Sequence, residues 1–173
     1  GPTEQLGRSI GAVGAVGVTV EVDAHMVTLA SGPAGASCII DPMDITSRLE
    51  FPAAPEQVFV LLLNRDFLID VCKAGGATDF DVTVDGTRTI SRRTLPAPEM
   101  ARTFTGSTIT ITEDITWGGA EPDGGRVGDL VLTVDGQPAK MTGTVTLAPN
   151  GSASTVTING DLKVNIPLLG KKL

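Results

Sequence analysis

The chain has 173 residues and 41% hydrophobic content, enough for one domain with a real core and well above the disordered range. Aromatic residues make up only 3%, so that core must be built mainly from Val, Ile, Leu, Ala and Met. The formal net charge is −7 and Arg92-Arg93 is the one adjacent arginine pair, which excludes the basic stripe of a nucleic-acid surface and the polybasic patch of an anionic-membrane binder.

Residues 1–42 are rich in Gly, Ala and Val and carry few charges. Within this leader Val16, Val18, Val20 and Val22 alternate with smaller or polar residues, and Val27 and Leu29 follow a turn at Asp23-Ala24-His25, which predicts a hairpin over 16–30. SGPAGAS at 31–37 reads as a linker. From Met43, itself a sensible natural start, the patterning becomes regular. MDITSRLEF, 43–51, places Met43, Ile45, Leu49 and Phe51 on one face of a strand that Pro52 ends. PEQVFVLLLN, 55–64, reads as a helix with Pro55 at its first position and Glu56 near the positive end of its dipole. RDFLIDVCKAGG, 65–76, reads as a second short helix with Asp66 as N-cap, Phe67, Val71 and Ala74 inward and Gly75 at its end.

Strands fill the remainder. TDFDVTVD, 78–85, sets Phe80, Val82 and Val84 on one face, and Asp85-Gly86 turns the chain into a return strand over 87–95. STITITEDITW, 107–117, puts Ile109, Ile111, Ile115 and Trp117 together, with Glu113 interrupting them. Strands over 126–134, 139–148 and 153–166 follow, separated by Asp135-Gly136 and Asn150-Gly151 turns. Tight turns make these six strands antiparallel neighbours, and such a sheet has an apolar face that needs a cover. Two short helices plug one end only. A long amphipathic helix beginning at Pro167 is expected, yet only LLGKKL follows.

Few motifs carry chemistry. Gly11, Gly14 and Gly17 lack the G-x-G-x-x-G spacing and precede a strand, so they read as a flexible or edge segment, and GKKL has no glycine loop upstream to make a P-loop. His25 is the sole histidine and reads as a surface turn residue, which argues against Ser-His-Asp or Cys-His catalysis. Cys38 and Cys72 form no CxxC and no Cys/His metal cluster; a disulfide between them is left open, and Cys72 is expected to be a buried thiol on a helix face. No metal or cofactor is expected. No apolar stretch reaches about 18 residues and no signal peptide is visible, so a cytoplasmic protein without membrane insertion is expected. Gly1-Pro2 reads as a tag-cleavage scar, and Asn150-Gly151-Ser152 as a turn rather than a glycosylation site.

Glu113, Asp114, Glu121 and Asp123 contain candidate acid pairs. Glu113 is the weak catalytic candidate, because alternation puts it on an apolar face, where a carboxylate is a group with a raised pKa, one paired with an arginine, or one that the strand twists to the rim. Arg88 and Arg92 share a face with Ile90 and are candidates for a ligand carboxylate, for pairing with Glu113, or equally for a solvated sheet face. Asn159 and Asn165 on the last strand are weaker polar candidates.

The order of strand, helix pair, six strands and final helix, together with MDITSRLEFPAAPEQVF, GATDFDV, RRTLPAPE and GDLKVNIPLLGKKL, resembles the START-like (SRPBCC) superfamily, in an uncharacterised actinobacterial branch. The resemblance spans 43–173 and leaves out 1–42. It implies an α+β helix-grip fold: a curved antiparallel sheet of about seven strands, with the chain stopping before the family's closing helix, as a truncation would leave it. It also implies a small apolar or amphipathic molecule held between sheet and helices. The lining candidates are Phe80, Val82, Arg88, Ile90, Arg92, Ile109, Ile111, Ile115, Trp117, Leu130, Leu132, Met141 and Val145. Two alternatives stand beside this binding role. One is a cyclase- or dehydratase-type enzyme using Glu113 with Arg88 or Arg92. The other is a protein that associates with itself or a partner through the uncovered sheet face or the leader.

Overall fold

The computed structural model describes residues 38–39, 43–99 and 102–166. The hairpin expected over 16–30, the linker at 31–37, His25 and the segment after Ile166 lie outside these residues. The elements are β1 (Cys38–Ile39), β2 (Met43–Phe51), α1 (Pro55–Leu62), α2 (Arg65–Ala74), β3 (Asp79–Asp85), β4 (Arg88–Pro96), α3 (Arg102–Thr105), β5 (Thr108–Trp117), β6 (Arg126–Val134), β7 (Ala139–Asn150) and β8 (Ala153–Ile166). The two-residue β1 and the one-turn α3 have no signature in the sequence pattern; the other elements fall where alternation and turn residues predicted them.

All strand pairs are antiparallel, and β3 to β8 are sequential neighbours. The chain's first long strand, β2, pairs with its last along the whole of Met43–Phe51, so the order runs β2-β8-β7-β6-β5-β4-β3, and β1 pairs with Asn165 and Ile166 of β8. Glycines in the left-handed region make the tight turns, Gly86 at φ 58°, Gly136 at 67° and Gly151 at 62°.

The sheet is curved, and Gly143 and Gly160 sit opposite each other in the β7–β8 ladder. A Cβ on Gly143 would fall on the carbonyl oxygen of Asn159, and one on Gly160 would lie 2.9 Å from the Met141 side chain. Only glycine fits so close a backbone approach inside a strand.

The helices pack onto the concave side at one end. Pro55 opens α1 with its fixed φ, and Gln57 Oε1 accepts from the Ala54 N–H at 3.4 Å. The inward side of α1, Val58 and Phe59, joins Phe51, Trp117, Leu130, Met141, Val145, Leu147 and Val156 in one buried cluster. Phe59 meets Trp117 edge to face at 5.8 Å between centroids, and the Arg126 guanidinium lies 3.8 Å from the centre of the Phe59 ring. Ser154, fully buried, donates to the Ala53 carbonyl at 2.6 Å and ties the start of β8 to the β2–α1 connection.

α2 corrects two sequence expectations. Its N-cap is Asn64, whose Oδ1 accepts from the Phe67 N–H at 3.0 Å, and Asp66 lies inside the first turn. Its buried residue is Cys72, 2% exposed, whereas Val71 is 46% exposed and Ala74 is also exposed. Starting the helix two residues earlier does not itself rotate a face; docking onto β3 does. Arg65 Nε donates to the Val82 carbonyl at 2.9 Å, which pins α2 to the edge strand and turns Cys72 inward.

Candidate functional site

Strand register sorts the inward residues into rows that cross the sheet. One row runs Val82, Ser91, Glu113, Leu132, Met141, Leu162. The row beyond it, away from α1, runs Phe80, Arg93, Ile111, Val134. The row before it contains Val84, Thr89, Ile115 and Leu130. Trp117, Val145, Leu147 and Val156 lie nearer the helices and are buried; Phe80, Ile109, Ile111, Leu132, Val134 and Leu162 are half-buried. The concave face therefore grades from packed core to partly accessible apolar wall.

Of the sequence candidates, Phe80, Val82, Ile109, Ile111, Glu113, Ile115, Trp117, Leu130, Leu132, Met141 and Val145 share this face. Arg88, Ile90 and Arg92 do not. They alternate with Thr89, Ser91 and Arg93 along β4, and it is the latter three that face inward, because their cross-strand partners are Ile115, Glu113 and Ile111. Arg88 makes a two-pronged pair with Asp114 at 2.9 and 2.6 Å, and Arg92 holds Asp135 at 2.7 Å, both on the convex side. The sequence alternative of Glu113 acting with Arg88 or Arg92 is thus geometrically disfavoured: sheet backbone separates them.

The arginine that meets Glu113 is Arg93. Its Nη2 lies 3.3 Å from Glu113 Oε2, and its Nη1 donates to Ser91 Oγ at 3.2 Å. Their side chains are 23% and 26% exposed, while Thr89 and Ser91 are buried. Cys72 approaches from α2. Burial pushes its thiol pKa up, Glu113 reinforces this, and the charge and hydrogen bond of Arg93 oppose it. A short polar stripe, Thr89-Ser91-Arg93 with Glu113 beside it, thus crosses an otherwise apolar wall beneath α2.

Sequence reasoning missed Arg93, Ser91 and Thr89 because Ile90 is the one strong apolar residue in the middle of β4 and alternation anchors on it. The available signal was the neighbour: Glu113 faces inward by the isoleucine pattern of β5, and its cross-strand partner sets the β4 register.

The convex side has a shallow depression of about 350 Å³ over the glycine pair, lined by Asp44, Ile45, Thr46, Thr142, Gly143, Thr144, Asn159, Gly160 and Asp161. Its lining is mostly hydroxyl, amide and carboxylate. That chemistry does not suit an apolar ligand, so the concave face is the better candidate. Among the described residues no group of three or more His, Cys, Asp and Glu is placed to hold a metal ion, and no helix is long and apolar enough to cross a membrane.

Among solved structures, the chain is similar to the STAR-related lipid transfer protein from Xanthomonas axonopodis, at 15% identity and TM-score 0.52, covering 82% of this chain and 85% of the other. It is also similar to a protein of Thermus thermophilus, TTHA0849, at 21% identity and TM-score 0.51, covering 73% and 78%. At these identities the likeness shows the fold alone, a helix grip of the START type. No curated protein matches the chain. The family model described as "Protein of unknown function (DUF2505)" matches residues 46–173, from the middle of β2 through every later element of the sheet, and the chain belongs to that family.

Proposed function

We propose that this domain binds a small apolar or amphipathic molecule between the concave face of the sheet and its helices. The observation that carries the reading is the graded wall: Phe80, Ile111, Leu132 and Leu162 stay half-buried beside a fully packed core, on the same face as the partly buried Arg93–Glu113 pair. An apolar wall with a few placed polar groups is the usual make-up of a small-molecule site. The fold shared with a protein named for lipid transfer supports the same class of ligand.

The test sets the two faces against each other. Ile111→Asp places a charge on the concave wall, and Ile90→Asp places one on the convex side. Uptake of the neutral apolar fluorophore N-phenylnaphthylamine is expected to fall at least about tenfold in the first variant and to stay within about twofold in the second. Equal uptake by both variants, at unchanged circular dichroism, would remove the concave site. A mass that grows with concentration, with no fluorophore uptake, would assign the apolar face to self-association instead.

A further inference from the structure

We propose that the outer edge of β2 pairs with the same edge of a second copy of this chain, antiparallel and centred on Leu49. The contact lies along the sheet edge and does not depend on a ligand.

The hairpin geometry fixes which backbone groups stand on that edge. β7 turns into β8 through the two-residue loop Gly151-Ser152, so Asn150 and Ala153 exchange both hydrogen bonds. Hydrogen-bonded and non-hydrogen-bonded pairs then alternate along the ladder, which points the backbone groups of Ser154, Val156 and Ile158 away from β7 and toward β2. Their partners on β2 are Phe51, Leu49 and Ser47. The N–H and C=O groups of Thr46, Arg48 and Glu50 therefore face outward. Among the described residues no strand pairs with β2 on that side, and no side chain hydrogen-bonds to these groups.

The opposite edge of the sheet is treated differently. On β3 the outward Val82 carbonyl is taken by Arg65 Nε. Asp79, Asp81 and Asp85 stand exposed along the same strand, so two-fold pairing centred on Val82 would set Asp79 against Asp85 of the second copy. An occupied carbonyl and a column of like charges protect an edge from its own kind.

The charges on β2 are of opposite sign and self-complementary. Arg48 and Glu50 flank Leu49 and are 55% and 61% exposed. Centring on Leu49 sets Arg48 opposite Glu50 of the second copy, and the two-fold axis repeats the contact. Each Arg48 also holds its own Glu50 at 3.2 Å, so the four side chains alternate in sign across the junction. On the concave side half-buried Leu49 meets Leu49 of the second copy and covers apolar surface there.

Sedimentation velocity of the 173-residue chain over a concentration series, with hydrogen exchange read along β2, tests this. The mass is expected to rise from one copy to two and stop, because a two-fold contact closes on itself. The Arg48 and Glu50 amides are expected to gain protection in step with it. Arg48→Glu is expected to weaken association at least about tenfold by opposing like charges, and Arg48→Glu/Glu50→Arg to restore it to within about threefold. Uptake of N-phenylnaphthylamine per chain is expected to stay within about twofold in Arg48→Glu, which separates this contact from association through the concave face. A single-copy mass throughout, a two-copy mass that Arg48→Glu leaves unchanged, or a double variant no tighter than the single one would overturn the proposal. Protection of the Arg48 and Glu50 amides already present in the single-copy form would also overturn it, and would give the edge to another segment of the same chain.

Discussion

At the scale of single residues, β4 shows how one register decides which chemistry a site has. Arg92 and Arg93 are chemically identical and adjacent, yet one stands in solvent against Asp135 and the other faces the concave wall against Glu113. Side chains alternate with period two, so a one-residue difference changes the face. On the convex side, Arg88 holds the Asp114 carboxyl below its ordinary pKa by direct hydrogen bonds and charge, with partial burial opposing. A carboxylate whose folded pKa is depressed stabilises the fold above its unfolded pKa and loses that contribution as pH falls through the folded value. The stability difference between wild type and Asp114→Asn is therefore expected to be constant above about pH 5 and to shrink steadily as pH falls below it, read from urea midpoints across the acid range. Gly143 sets a different limit. The Cβ of Gly143→Ala would fall on a backbone carbonyl that cannot swing aside, so a loss of about 3 kcal/mol is expected in urea denaturation, at the upper end of overpacking costs.

At the scale of elements, α2 separates what the local sequence specifies from what docking decides. Asn64 and Asp66 are both good capping residues, and the structure uses Asn64. Asn64→Ala is expected to cost about 1 kcal/mol, and Asp66→Ala a few tenths, in paired thermal melts. Equal costs would place the cap back at Asp66. The helix face follows from Arg65 gripping the Val82 carbonyl of an edge strand, a contact to a partner seventeen positions along the chain. Cys72 then sits inward, buried and with its thiol pKa raised by that burial. Its modification by a thiol reagent at neutral pH is expected to follow unfolding of α2 or of the whole domain, with the rate rising in parallel with urea-induced loss of helix signal.

At the scale of the whole molecule, the closing contact joins the two ends of the described sheet. β2 pairs with β8 over nine residue partners, from Met43 opposite Leu162 to Phe51 opposite Ser154. The core it completes runs from Phe51 through Val156, Leu147 and Val145 to Trp117 and Phe59. Leu147 is 1% exposed at its centre, and Leu147→Ala is expected to cost about 3 kcal/mol, with Trp117 emission and far-UV circular dichroism still changing at one shared midpoint. Separate midpoints would show that the helix end and the sheet unfold independently.

Alternation and turn dipeptides made most of this architecture legible in the sequence. The strands at 43–51, 126–134 and 153–166 have the bounds their patterns indicate, because period-two apolar residues end at Pro or at Asp-Gly and Asn-Gly pairs whose conformational needs are local. The apolar wall was legible for the same reason, from β5 and β6, where isoleucines and leucines mark the inward face. What local pattern does not contain is which strand lies beside which side chain at long range. The polar inner face of β4, the pairing of Arg93 with Glu113, the inward turn of Cys72 and the burial of Ser154 against Ala53 arise only when the strands are in register and the helices docked. The sequence by itself determined the elements and their order, since those follow from the backbone needs and apolar period of each segment. The tertiary structure alone decided which charged residues face the concave apolar wall, because that depends on partners far apart in the chain.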